Sequence, residues 1–222
     1  MSDDRQVFRY ALAPINRDAA RGVDLPRTLD GAPGVALTFD DGPHPEGTPA
    51  VLDLLAAAGA RATFFLVGEQ VERRPALAAR IATAGHAVAL HGYRHHLQLR
   101  MAPATVEADI ARGIAVVQDA TGMALGRHRP PYGIYSAAGL RAARRAGLAP
   151  LLWSRWGKDW RRFTTPARIA RRATRAVIAG DVILLHDADF YSARNSHHRT
   201  AVALKHILTE LERRKLDTVL AV

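Results

Sequence analysis

The sequence predicts an α/β protein whose parallel strands form a closed or partly closed barrel. Apolar runs of strand length alternate with amphipathic helical segments, which is typical of successive βα units around a parallel sheet. About seven apolar strands without a dinucleotide-type glycine fingerprint favour a barrel, with an open doubly wound sheet as the alternative. With 222 residues, 48% hydrophobic and 23% charged, the chain has the size and composition of one globular domain.

The first half of the pattern follows residues 1–32, which lack clean periodicity and which we interpret as an arm or outer element. The first strand, at 35–40, is an apolar run ending in two carboxylates. A helix over 49–58 follows, with Thr48 as the expected N-cap and Pro49 at its first position. The next expected elements are a strand at 62–67, a helix at 71–84 and a strand at 86–90.

The second half continues this alternation, and a glycine closes each expected helix except the last. A long helix over 103–121 is followed by a short extended piece at 125–129. The remaining expected elements are a helix from Ser136 to Gly147, a strand at 149–153, a helix capped by Thr165 and Pro166, a strand at 181–186, a helix containing Leu204 to Leu211, and a last strand at 218–222.

Charge and cysteine content restrict the partners and the metal sites. The net charge of +10 favours anionic partners such as nucleic acid, acidic lipid or another anionic polymer. Because the chain has no cysteine, any metal ion must be held by histidine and carboxylate. Four arginines on one predicted helix are interpreted as a solvated face: Arg168, Arg171, Arg172 and Arg175.

The amino terminus shows no export signal. Residues 1–5 are acidic, the apolar piece at 10–15 is too short for a signal-peptide core, and no run approaches membrane-spanning length. We therefore expect a cytoplasmic protein. Alternatively, it is an exported or cell-envelope protein whose targeting segment is absent from this sequence.

Unusual polar residues fall at the carboxyl ends of the expected strands. Parallel strands place these ends on one face, where barrel enzymes build their active sites. Taken singly, each group is more typical of a turn, a rigid loop or a packed histidine than of an active site. Together they predict one site, formed by Asp40, Asp41, His91, His95, Arg129, Asp159, Trp160, His186 and Asp187.

Asp41, His91 and His95 form a candidate metal site. Histidines four residues apart lie on the same side of a single helical turn, a spacing that suits one shared ion. An oxygen and nitrogen ligand set suits Zn²⁺, with Co²⁺, Ni²⁺ or Fe²⁺ as alternatives. Such an ion polarises a carbonyl group and lowers the pKa of a bound water from ~15.7 towards ~7.

The motifs together resemble those of the polysaccharide deacetylases, the NodB-homology group of metal-dependent carbohydrate esterases. In chain order they read TFDDGP from Thr38, HGYRH from His91, RPPYG from Arg129, Asp159-Trp160, and LLHD from Leu184. The resemblance covers about residues 33–222 and implies a catalytic domain folded as a distorted (β/α) barrel with about seven parallel strands. It implies hydrolytic removal of N-acetyl or O-acetyl groups from an acetylated sugar or polysaccharide.

The resemblance also implies two proton-transfer groups. Asp40 would be the general base that activates water, and Arg129 would pair with it and keep it ionised. His186 would be the general acid that protonates the leaving nitrogen, and Asp159 would orient and tune it.

The binding roles are implied in the same way. The backbone N–H of Tyr132 would stabilise the oxyanion. Trp160 and Leu184 would form the walls of a small apolar pocket for the acetyl methyl group. The metal ligands would be Asp41, His91 and His95.

Two positions depart from the family pattern. Gly92 stands where relatives usually carry a serine or threonine whose hydroxyl braces the metal-binding loop, and Trp156 stands where many carry an additional acid. His96 is an alternative ligand to its neighbour. The remaining unassigned histidines are expected at the surface without a role: His44, His197 and His198.

Two other functions compete with deacetylation of a sugar. One is hydrolysis of a non-sugar amide or cyclic imide, which some members of the family perform; the complete metal set argues only against a metal-free member. The other is a basic module that binds an anionic glycan or nucleic acid without turnover. The complete acid–base set argues against that module.

Overall fold

A computed structural model describes residues 23–222, and its centre is a sheet of seven parallel strands. The strands are β1 (Ala36–Asp40), β2 (Thr63–Leu66), β3 (Ala87–Leu90), β4 (Arg127–His128), β5 (Ala149–Pro150), β6 (Arg155–Trp156) and β7 (Val182–His186). The helices are α1 (Gly47–Ala57), α2 (Gly68–Arg73), α3 (Pro75–Thr83), α4 (Pro103–Thr121), α5 (Ala137–Arg145), α6 (Pro166–Thr174) and α7 (Ser196–Arg213).

The strand order is that of a barrel opened at one point. Across the sheet it reads β5-β4-β3-β2-β1-β7-β6, which is the consecutive order of a ring cut between β5 and β6. The first strand pairs in parallel with the last as well as with the second. This cyclic order confirms the predicted distorted barrel and excludes the doubly wound alternative, whose order reverses at a switch point.

The barrel is open between β5 and β6, and this gap includes part of the segment that was expected to be one strand at 149–153. In the described part of the chain, β5 pairs only with β4 and β6 only with β7, with residues 151–154 between them. The carbonyl oxygens of Leu151 and Leu152 accept hydrogen bonds from the Arg129 guanidinium, at 2.9 Å from Nε and 2.8 Å from Nη2. A buried side chain thus takes the place of a strand partner where the expected strand is divided.

Three further expectations are wrong in detail. The helix expected at 71–84 is two helices, because Pro75 cannot continue the first and instead begins the second. The strand expected at 218–222 is only a bridge between Thr218 and Val35, and the Ala221 N–H is taken by a side-chain hydroxyl. Thr48 does not cap α1, which begins at Gly47; its hydroxyl donates to a buried carboxylate instead.

The sheet is covered on both sides. Every residue of β1 is buried, as expected for a parallel strand packed between layers. Residues 1–22 of the expected outer element lie outside the described residues. Leu25, which belongs to the part of that element that is described, is only 1% exposed.

Within residues 23–222, none of the helices has the length and apolar character that crossing a bilayer demands. The four arginines predicted to form a solvated face are all exposed: Arg168, Arg171, Arg172 and Arg175.

Candidate active site

The two carboxylates at the end of β1 have different partners. Asp41 has a φ of 79°, a left-handed conformation that aspartate tolerates better than most residues. Asp40 lies 2.6 Å from Arg129 Nη1. Asp41 Oδ1 lies 3.5 Å from His91 Nε2 and 3.2 Å from His95 Nε2. Asp40 therefore contacts a guanidinium group, whereas the adjacent Asp41 contacts two imidazole rings.

Arg129 is fully buried and every arm of its guanidinium is occupied. Besides Asp40, its Nη1 donates to Thr38 Oγ1 at 3.0 Å, and the other two nitrogens donate to the carbonyls of Leu151 and Leu152. Such a saturated, charge-assisted network holds the guanidinium in one position. The same side chain therefore fixes Asp40 and fills the opening of the barrel.

The Asp41, His91 and His95 side chains fit a divalent cation. All three are buried, and their ligand atoms lie within 4.8 Å of one another. His91 Nδ1 lies 2.8 Å from the carbonyl oxygen of Arg129. Because a carbonyl only accepts, the ring proton belongs on Nδ1, and Nε2 turns a lone pair towards the Asp41 carboxylate. Two buried acceptors facing each other require a cation or an additional proton between them.

The charge of Asp41 is consistent with a ligand role. Burial acts to raise the pKa of Asp41, but hydrogen bonds from His91 and His95, which need a proton on each facing nitrogen, and the charge of His186 outweigh it and hold the pKa below its ordinary value. A cation in the place of those protons lowers the pKa in the same way. The group is therefore ionised at neutral pH, as a carboxylate metal ligand must be.

The two histidines do not lie on the single helical turn that their spacing suggested. Residues 91–95 form an irregular loop in which Gly92 has a φ of 86°. The His91 and His95 ring centroids are 5.3 Å apart. The left-handed backbone conformation at Gly92, which glycine adopts without strain, therefore turns the loop so that the two rings come together.

Asp109 on α4 braces this loop. Its carboxylate accepts the backbone N–H groups of Tyr93 and Arg94 at 2.9 and 3.1 Å. A Cβ at position 92 would lie 3.2 Å from an Asp109 oxygen and 3.2 Å from the Arg94 carbonyl. A side chain at position 92 would therefore require the Asp109 carboxylate or the Arg94 carbonyl to move by a few tenths of an ångström.

Asp109→Ala is expected to weaken Zn²⁺ binding by about 10–100-fold, the usual cost of losing a group that orients metal ligands. The loop N–H groups lose their acceptor, so the two histidines are held less firmly. Competition with a chromophoric chelator measures the affinity. Asp119→Ala, at an exposed position on the same helix, is the matched control. A variant with reduced melting temperature but unchanged affinity would contradict this role.

His186, at the end of β7, is held by a buried carboxylate. Its Nδ1 lies 2.9 Å from Asp159 Oδ1, and its backbone N–H donates to Oδ2 at 2.7 Å. Thr200 on α7 donates to the same Oδ2 at 2.8 Å. Burial opposes the charged imidazole, but Asp159 outweighs it and raises the pKa of His186 to about 10. The ring therefore keeps a proton at neutral pH.

Asp159→Asn is expected to move the basic limb of the kcat/KM profile to lower pH by roughly 1–3 units. An acid with a raised pKa stays protonated, and active, until the pH rises through that pKa. Removing the negative charge lowers the pKa, so activity is lost at a lower pH. Thr200→Val keeps the charge and should move the limb much less. An unchanged limb in the asparagine variant would refute this account of His186.

Most of the sequence-predicted residues converge on one cavity of about 240 Å³, but Asp187 is buried beside Thr48 and does not line it. Arg129 and Asp159 lie behind its wall, each bonded to a residue that lines it. His96 is exposed and does not line it. The predicted residues that line it are Asp40, Asp41, His91, His95, Tyr132, Trp160, Leu184 and His186.

Other residues lining this cavity were missed. Tyr191 stacks on His95 with ring centroids 4.0 Å apart and planes 7° apart, and its hydroxyl donates to Glu69. Trp153 and Trp156 continue the aromatic wall begun by Trp160. Tyr191 lies in a loop without a motif, so only its proximity in the fold shows its place.

Two of the histidines expected at the surface are buried. His44 is 7% exposed and His197 is 5% exposed, whereas the side chain of His198 is 61% exposed. The expectation fails for His44 and His197 because the loop after β1 packs against the start of α7. Their rings contact each other there, with centroids 4.3 Å apart.

Comparison with known proteins identifies the family. A family model described as polysaccharide deacetylase matches residues 30–151. A chitooligosaccharide deacetylase of Bradyrhizobium sp. (strain ANU 289) is 36% identical, covering 85% of this chain and 89% of the relative. A peptidoglycan-N-acetylglucosamine deacetylase of Bacillus cereus is 35% identical, covering 81% and 82%. The crystal structure of a peptidoglycan N-acetylglucosamine deacetylase bound to an N-hydroxybenzamide has a TM-score of 0.81 at 28% identity, covering 89% and 90%. The chain belongs to the polysaccharide deacetylase family.

Proposed function

We propose that this protein hydrolyses the N-acetyl group of N-acetylglucosamine units in an oligosaccharide or polysaccharide, with a divalent metal ion at Asp41, His91 and His95. The observation that carries the proposal is one cavity lined by this metal-ligand set, by Asp40 and by His186. The names of the relatives, which act on chitooligosaccharides and on peptidoglycan N-acetylglucosamine, support this choice of substrate.

The proposed reaction needs one proton acceptor and one proton donor. When bound, the metal ion polarises the acetyl carbonyl and makes water more acidic. Asp40, held by Arg129, accepts a proton from the water whose oxygen bonds to the acetyl carbon. His186 gives its Nε2 proton to the sugar nitrogen as the carbon–nitrogen bond breaks. The products are acetate and a free amino sugar.

The remaining side chains orient the acetyl group. Trp160 and Leu184 line the cavity beside His186 and enclose the methyl group. The backbone N–H of Tyr132 donates to the oxygen that gains negative charge. Tyr132 has a φ of 62°, so its peptide group is set by an unusual backbone conformation. Such strained positions are concentrated at functional sites.

Acetate release tests the proposal. Chelated protein and protein restored with Zn²⁺ are each incubated with chitooligosaccharides, peptidoglycan fragments, acetylated xylan and a cyclic ureide. We expect acetate from at least one N-acetylated sugar, only after metal is restored, and no ring opening of the ureide. Ureide hydrolysis without acetate release would favour the competing amide activity. Salt-sensitive polymer binding without any turnover would favour the binding module.

A further inference from the structure

A second group of metal-ligating side chains lies between the loop after β1 and the start of α7. Glu46 immediately precedes α1, and His197 and His198 belong to the first turn of α7. Glu46 Oε2 lies 3.8 Å from His197 Nε2 and 3.7 Å from His198 Nε2. All three ligand atoms lie within 4.8 Å of one another. None of these residues lines the active-site cavity.

The surroundings of the His197 ring are those of a metal-binding histidine. It is 5% exposed, and neither ring nitrogen has a hydrogen-bond partner among residues 23–222. Its Nδ1 faces Asp189 Oδ2 at 3.4 Å, and the Asn195 N–H holds that oxygen at 2.6 Å. A carboxylate favours the proton on Nδ1, which leaves the Nε2 lone pair facing Glu46. A carboxylate behind a histidine is the usual means of orienting a metal-binding imidazole.

His44 belongs to the same cluster but supports it without acting as a ligand. Its Nδ1 accepts the backbone N–H groups of Glu46 and Gly47 at 3.2 and 3.0 Å. The ring proton of neutral His44 is therefore on Nε2, which faces Asp189 Oδ1 at 3.4 Å. A nitrogen that carries a proton has no lone pair for a metal. This tautomer places the binding site away from His44 and at His197 Nε2, which faces Glu46.

We propose that Glu46, His197 and His198 bind a second divalent cation of the Zn²⁺ or Ni²⁺ type. Two imidazoles and a carboxylate suit these ions, with water completing the coordination. The charges of Glu46 and Asp189 together balance the dication. The side chains of Glu46 and His198 are 69% and 61% exposed, which leaves both room to adjust to an ion at the buried His197.

The bound ion connects two segments that support the active site. The loop containing Glu46 follows Asp40 and Asp41 directly, and α7 carries Thr200, which donates to Asp159. A cation held by both segments stabilises the folded state by mass action. The site is independent of the proposed reaction, because none of its ligands lines the catalytic cavity.

Zinc content after equilibrium dialysis of the untagged full-length chain against Zn²⁺ alone tests the proposal. We expect two ions per wild-type chain, one for Asp41→Ala and one for His198→Ala, with the second-site affinity of His198→Ala lowered at least tenfold. The double variant should bind none. His206→Ala, which removes an exposed histidine from the same helix, should still bind two.

Thermal melting with and without Zn²⁺ supplies a second readout that does not depend on turnover. The Asp41→Ala variant should gain melting temperature with Zn²⁺, and the Asp41→Ala/His198→Ala variant should not. Because His198 is exposed, its truncation leaves the fold intact, and circular dichroism verifies this. Equal zinc content and equal zinc-dependent shifts in these two variants would overturn the proposal.

Discussion

Asp40→Asn is expected to lower kcat for acetate release by about 10²–10⁴-fold while the protein keeps its catalytic metal. Asparagine Oδ1 can still accept the hydrogen bond from Arg129, but an amide cannot take a proton from water. Acetate release and metal content measured on the same preparation separate the two effects. Asp41→Ala, one residue along, is the matched control and should lose both metal and turnover.

The assay of Asp40→Asn must be run well below its melting temperature, since the variant leaves Arg129 with a neutral partner in a buried position. Full activity with intact metal binding would show that another group removes the proton from water. Loss of metal together with activity would instead assign Asp40 to the ligand set, because its Oδ2 lies only 3.8 Å from His91 Nε2.

Arg129→Met is expected to destabilise the folded protein by about 3–5 kcal/mol, the usual cost of removing one partner from a buried ion pair. The change leaves the Asp40 carboxylate without its cation. It also leaves the carbonyls of Leu151 and Leu152 without donors at the opening of the barrel. Urea unfolding measures the free energy, with the m-value as a check that the unfolding remains two-state.

The double variant Asp40→Asn/Arg129→Met shows whether the pair itself causes this loss. Because the two groups are in contact, their effects should not add, and the double variant should be more stable than the sum of the single changes predicts. Strict additivity would mean that the carbonyl contacts alone account for the role of Arg129, and that the ion pair contributes nothing measurable.

Most of the site was predictable because its residues are tied to strand ends. Asp40 ends β1 and His186 ends β7, and the loops that follow β3 and β4 carry the histidine pair and Arg129. Parallel strands bring all of these positions to one face whatever the details of packing. The fold class followed from the same alternation of strands and helices.

What was missed depends on contacts between segments distant in the chain. Thr200 reaches Asp159 from a helix 41 residues further on, and Tyr191 reaches His95 from a loop without a motif. The burial of His197 arises only once α7 packs against the loop after β1. At the opening between β5 and β6, the Arg129 guanidinium contacts the carbonyls that a strand would otherwise pair with. The spacing of apolar residues in the sequence does not indicate such a contact.

The most direct test of the proposed metal centre is an anomalous difference map from a crystal equilibrated with Zn²⁺, with data collected on both sides of the zinc absorption edge. We predict a peak enclosed by the side chains of Asp41, His91 and His95, which disappears in crystals of Asp41→Ala. A map without density among these three side chains, or a peak there that survives the alanine substitution unchanged, would contradict the account.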